Sequence, residues 1–94
     1  HLARTAGLKC QLGAQVGEAG ILSAAGRHYA TRSAGTRWCE GSYGQLLLEE
    51  DITEPDVTVG PGGMAPALEA DGMGVTPAAE KLQRYEQSRT SISA

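Results

Sequence analysis

Thr76-Pro77-Ala78-Ala79-Glu80-Lys81-Leu82-Gln83-Arg84-Tyr85-Glu86-Gln87 is the stretch of this 94-residue chain with the most consistent local signals. Thr76 is a capping residue type, and Pro77 suits the first helical position because its missing N–H would be unpaired there anyway. The residues that follow are mostly good helix formers. Glu80 falls near the positive pole of the helix dipole, and Arg84 follows it at i+4. The spacing predicts a C-terminal helix near 77–87. Its apolar face is Ala78, Leu82 and Tyr85, with Ala79 beside them, which is enough to dock on a partner and too little to organise a core. At about ten residues it is below the roughly 12–15 at which isolated helices become even marginal, so its order has to come from contact with a surface. Residues 88–94 are expected to fray.

Upstream of this segment the local signals conflict. Leu8, Leu12, Val16 and Ala19 share one helical face, with Lys9, Gln11, Gln15 and Glu18 largely elsewhere. Gly7, Gly13, Gly17 and Gly20 oppose a helix at about 1 kcal/mol each relative to Ala, so one would need a partner surface. The Gly13-x-x-x-Gly17 spacing permits close helix contact, but Gln and Glu within the segment exclude a membrane dimer motif. Residues 41–44 mark a turn. Residues 45–50 are a short apolar run ending in two glutamates, compatible with a helix start or a strand. Asp56-Val57-Thr58-Val59 alternates in the strand manner, between Pro55 and Gly60-Pro61-Gly62-Gly63. Residues 64–74 read as a linker broken by Pro66, Gly72 and Gly74. No apolar run approaches the roughly 20 residues that cross a bilayer.

The fold class expected is therefore mostly irregular, with low secondary structure, short α-helices and at most a short strand near 56–59. Three segments follow from the charge and composition: a basic, Gly/Ala-rich segment over 1–39, an acidic, turn-rich one over 40–75, and a short helix with its tail over 76–94. The composition agrees. Phe is absent, there are one Trp and three Tyr, and thirteen Gly add backbone entropy that folding must overcome. Few side chains can bury a large area, so the chain suits a partly disordered or partner-bound segment better than a self-sufficient core.

The net charge of −3 hides a split. Residues 1–39 carry five basic residues (Arg4, Lys9, Arg27, Arg32 and Arg37) against the single acid Glu18, a net of +4. Residues 40–94 carry three basic residues against ten acids, a net of −7. The acid-poor first 29 residues resemble a mitochondrial presequence, in which a cationic, one-sided helix is favoured by both the receptor and the membrane potential. Arg27-His28-Tyr29 before Ala30 is similar to the Arg-x-Tyr pattern, followed by Ser or Ala, at which matrix processing peptidases cut. The resemblance implies a mitochondrial address and a transit peptide, with Arg27, Tyr29 and Ala30 as the processing-like residues. The plainer alternative is a basic, flexible surface arm.

Chemistry has few places to reside. Cys10 and Cys39 are the candidate nucleophiles and His1 and His28 the imidazoles, and none stands in a CxxC, HExxH, GxSxG or phosphate-loop arrangement. Gly13, Gly17 and Gly20 miss the dinucleotide-binding spacing, and no strand is expected before them. The two cysteines allow one disulfide, whose loop of about 28 residues would contribute roughly 3–4 kcal/mol; in a reducing compartment they would be free thiols. The carboxylates between Glu49 and Asp56 lack calcium-loop spacing and read as a solvated acidic face. A free amine on His1, with its imidazole and His28, resembles the histidine brace of copper proteins, but those are dense β-sandwiches and no such strand pattern occurs here.

These readings predict a non-enzymatic accessory or interaction subunit, with no cofactor and no metal, that docks on a larger, mitochondrial protein complex through Leu82, Tyr85 and Ala78. A nucleic-acid-associated role is the alternative, with Arg4, Lys9, Arg27, Arg32 and Arg37 on phosphates and Trp38 or Tyr29 stacking. Ten carboxylates in the same small chain disfavour it. Copper binding through His1 is the second alternative.

Overall fold

Leu12, which the periodicity places on a helical face, forms a strand with Cys10 and Gln11. The computed structural model describes residues 1–41 and 44–93, and its elements run in the order α1 (Leu2–Thr5), β1 (Cys10–Leu12), α2 (Gly20–Arg32), β2 (Thr36–Cys39), α3 (Gly44–Leu47), β3 (Thr53–Glu54), a 3-10 turn (Pro61–Gly63), β4 (Thr76–Pro77) and α4 (Ala79–Tyr85). The architecture is mostly irregular, with short helices and two sheets of two strands each. No helix among the described residues is long and apolar enough to cross a membrane. The turn expected over 41–44 falls partly on residues 42 and 43, and the frayed tail partly on residue 94, outside the described residues.

The N-terminal half is built as a strand–helix–strand unit. β1 and β2 pair in parallel, with Cys10 opposite Thr36, Gln11 opposite Trp38 and Leu12 opposite Cys39, and a register shift follows Cys10. Parallel strands need a crossover connection, and α2 supplies it. The helical periodicity of residues 8–19, which the glycines already oppose, is thereby overridden. Leu12 is half-buried in β1, Val16 is 82% exposed, and Gly17 adopts φ +77°, a left-handed conformation that ends any helical run through it.

α2 is the longest helix, and no local cap starts it. Its N-cap residue is Ala19, which offers no side-chain bond. The cap comes instead from 31 residues downstream: Asp51 Oδ1 accepts from the Gly20 N–H at 2.9 Å, from the Thr53 N–H at 3.3 Å and from the Thr53 hydroxyl at 3.2 Å. A carboxylate there also faces the positive end of the helix dipole. Gly20 has to be glycine at this junction, because a Cβ would overlap Thr53 Oγ1 and lie 2.9 Å from Asp51 Oδ1. Glu18 ties the approach to the helix, accepting from the Gln15 N–H at 3.0 Å and the Ser23 hydroxyl at 2.8 Å.

Two expectations for the C-terminal half are corrected. The alternating Asp56-Val57-Thr58-Val59 is not a strand: Asp56 Oδ1 accepts from the Thr58 N–H at 3.0 Å, which closes a side-chain turn and takes the segment out of any ladder. The strand lies just before it, where Thr53 pairs with Pro77 and Glu54 with Thr76 in antiparallel sense. Thr76 and Pro77 are thus strand residues and not the cap and first turn of a helix. Pro77 is tolerated because this two-residue strand is a sheet edge. α4 consequently begins at Ala79, within the predicted span, with Ala78 as an N-cap that makes no side-chain bond. Arg84 does not serve Glu80, four residues before it, and pairs with Glu50.

Very little is buried. Ala24 and Val57 are the buried hydrophobic residues among those described, and Thr53 is buried with its hydroxyl bonded to Asp51. The accessible surface is 7384 Å², against about 5,200 Å² for a compact monomer of this mass. The radius of gyration is 15.5 Å, against about 12 Å for a compact chain of this length.

Candidate functional site

α4 carries the predicted docking face. Ala78, Leu82 and Tyr85 stand at i, i+4 and i+7, on one side of the helix. Leu82 is 44% exposed and Tyr85 43%. Ala78 is half-buried, and its backbone N–H donates to the Ile52 carbonyl at 2.8 Å, extending the β3–β4 pairing into the helix start. Ala78 therefore anchors the helix, while Leu82 and Tyr85 are its presented apolar groups.

Glu50 fixes the far end of α4. Its carboxylate pairs with the Arg84 guanidinium and accepts from the Tyr85 hydroxyl at 3.2 Å. The Tyr85 phenol is held above the usual tyrosine pKa, first by desolvation and then by its bond to the Glu50 carboxylate, while the same carboxylate raises Arg84. The ring of Tyr85 is thus held in place by its hydroxyl. Sequence reasoning found the face and missed Glu50, which no local spacing connects to residues 84 and 85.

A concavity of about 640 Å³ lies between the end of β1, one face of α2 and the chain from 57 to 65. Leu12, Leu22, Ala30, Val57, Val59 and Ala65 give it an apolar lining. Its charged members are committed within the chain. Glu40 accepts from Gln11 Nε2 at 2.8 Å and from the Ala14 N–H at 3.0 Å, Glu18 is bonded as described above, and Arg27 donates to the Val57 carbonyl and, at 3.5 Å, to the Pro66 carbonyl. The groove was not foreseen, because the strand, the helix and the irregular segment that form it come from three separate parts of the sequence.

The processing-like residues all lie in α2. Arg27 holds the 57–66 segment to the helix, Ala30 lines the groove, and Tyr29 is exposed on the other side. The Tyr29–Ala30 peptide bond is inside the helix, three residues before its end, so a peptidase that takes an extended substrate would meet it only after α2 opens. The linker-like 64–74 segment is likewise pinned from α2: His28 Nε2 is 2.8 Å from the Met73 carbonyl oxygen.

The remaining candidates are separated by the fold. Cys10 and Cys39 are both free. They sit two residues apart along adjacent strands, which puts their Cα atoms about 8 Å from one another, beyond the roughly 7 Å that a disulfide spans. A strand does precede the glycines at 13, 17 and 20, contrary to expectation, and α2 begins at the last of them. Their spacing is not that of a dinucleotide loop, however, and the helix start faces Asp51, a carboxylate that stands where a phosphate would. His28 is engaged with Met73, while His1 lines a different concavity. No group of three or more His, Cys, Asp or Glu side chains among the described residues is placed to hold a metal ion. Of the basic residues proposed for phosphate contact, Arg27 is consumed internally and Arg37 lies over the Trp38 ring, 5.5 Å from its centroid.

No protein family, curated protein or solved structure matches this chain.

Proposed function

We propose that this chain is a non-catalytic accessory or interaction segment that docks on a larger protein complex, with Leu82 and Tyr85 of α4 as its apolar contacts. The observation that carries this reading is the imbalance between buried and exposed apolar groups. Two hydrophobic residues are buried among those described, while Leu82, Tyr85, Trp38, Leu46, Leu47 and Met64, among others, remain exposed. A chain with about 2,200 Å² more surface than a compact monomer has apolar area left to cover, and a partner surface is the means of covering it. α4 is the element best prepared for this, because Glu50 and Ile52 already hold it in place and its ordering entropy is largely spent. On the composition of residues 1–29, we place that complex in the mitochondrion.

The test compares two exposed leucines. Leu82 is 44% exposed, so about half of the 1.5–3 kcal/mol available from burying a leucine remains to be gained, roughly 1 kcal/mol or fivefold in affinity. Leu82→Asp also places a charge in the contact, so it is expected to weaken association at least tenfold. Leu47→Asp, on α3 and more exposed, is expected to leave it nearly unchanged. Tagged full-length chain expressed in cells, sized by native gel filtration and quantified for co-migration with a larger species, reads the difference. A wild-type chain that migrates as a monomer, or equal losses from both variants, rejects the reading.

A further inference from the structure

Six arginines occur in the chain, and four of them have a partner. Arg27 donates to the Val57 and Pro66 carbonyls, Arg37 lies over Trp38, Arg84 pairs with Glu50, and Arg89 pairs with Glu86. Arg4 and Arg32 have none among the described residues, and they line one and the same concavity. It has a volume of about 240 Å³ and lies where α1, the C-terminal end of α2 and the α2–β2 turn meet. Tyr29 and Ser33 also line it, and neither hydroxyl has a hydrogen-bond partner among the described residues. Among the described residues, no carboxylate side chain lines it. Thr36, which follows the lining residue Gly35 and pairs with the lining residue Cys10, has a buried hydroxyl oxygen without a partner.

We infer that this concavity is a binding site for a phosphate dianion, free or as a monoester, held by the Arg4 and Arg32 guanidiniums with the Tyr29 and Ser33 hydroxyls as further donors. Two guanidiniums without an acid between them are a site for an oxyanion, since their planar N–H pairs match its oxygens. The C-terminal pole of α2 opposes an anion with only about half an elementary charge, against two full positive ones. The volume is below the roughly 300 Å³ at which drug-sized pockets begin, which suits a single phosphate group and not a nucleotide. The surplus of acids elsewhere in the chain keeps this preference local. The same chemistry is available from free phosphate or from a phosphorylated side chain of a docked protein.

Titration of the 15N-labelled full chain with inorganic phosphate, with a phosphoserine peptide and with its unphosphorylated form tests the site. Saturable shifts are expected at the amides of Arg4, Tyr29, Arg32 and Ser33, with midpoints on the order of 1 mM for inorganic phosphate. Arg4→Gln and Arg32→Gln should each raise the midpoint about fivefold, whereas Arg37→Gln, which removes the same charge elsewhere, should change it less than about twofold. A phosphopeptide at least about tenfold tighter than inorganic phosphate identifies a phosphorylated side chain as the ligand, and equal midpoints identify free phosphate; either supports the site. Unsaturated, linear shifts, or equal losses from all three arginine variants, would overturn it. So would shifts with a short single-stranded oligonucleotide at Lys9, Arg37 and Trp38 and none with phosphate.

Discussion

Asp51 illustrates how one carboxylate can organise two parts of a chain that has almost no core. A single oxygen accepts from the first turn of α2 and from both polar groups of Thr53, the residue that begins the β3–β4 pairing. Asp51→Ala removes a helix cap and leaves the Thr53 hydroxyl buried without its acceptor, so a loss of about 1–2 kcal/mol is expected. Asp51→Asn keeps an acceptor oxygen and should recover most of it. Gly20→Ala acts on the same junction by overlap, with an expected cost of about 1–3 kcal/mol. Hydrogen exchange at the amides of residues 23–28 reads all three variants, since those amides report on α2 itself. Exchange rates in Asp51→Ala equal to wild type would show that α2 starts without this cap.

At the scale of elements, α4 has seven residues and two external anchors, the Ile52 carbonyl at its start and Glu50 at its end. Its intrinsic helix content is too low to hold it alone, so Glu50→Ala should speed exchange at residues 82–85 without altering α2. The phenol of Tyr85 makes the anchor pH-dependent. Its folded-state pKa lies above the unfolded one, so the stabilisation is fully present below about pH 10 and is lost as pH rises through the folded value. Carbon-13 shifts of the assigned Tyr85 ring should show a midpoint above 10, moving part of the way back in Glu50→Gln because desolvation remains. The existence of α4 was legible in the sequence because local signals carry it: Glu80 in the first turn, a run of good helix formers, and a face at i, i+4 and i+7. Its start was not, since Thr76 and Pro77 have a strand partner at residues 53 and 54 that local capping rules do not see. α2 was missed for the same reason. Two glycines and an alanine N-cap argue against a helix locally, and the cap that overrides them lies 31 residues away. The β1–β2 pairing depends on that helix as its crossover, so the groove beside it was lost from view together with α2.

The whole molecule combines well-defined local junctions with an unfinished interior, and this determines how it should unfold. An extended chain of this mass exposes about 14,200 Å², and a compact monomer of 94 residues buries nearly two-thirds of that. With 7384 Å² still accessible, this chain buries about half. Denaturant slopes scale with the surface exposed on unfolding, so the urea m-value should be about three-quarters of that of a compact domain of equal length, near the low end of the 1–3 kcal/mol/M range. The Glu50 anchor is made by exposed side chains and the Asp51 junction by part-buried ones, so loss of exchange protection in α4 should precede loss in α2 as urea rises. In Leu82→Asp the m-value of the free chain should be unchanged, because that side chain is already half exposed. In the presence of the docking partner the two transitions should merge and steepen, as the exposed apolar groups acquire a surface to pack on. A free chain that unfolds in one steep transition, with the slope of a compact domain, would mean that its surface is finished. The exposed Leu82 and Tyr85 would then need no partner to cover them.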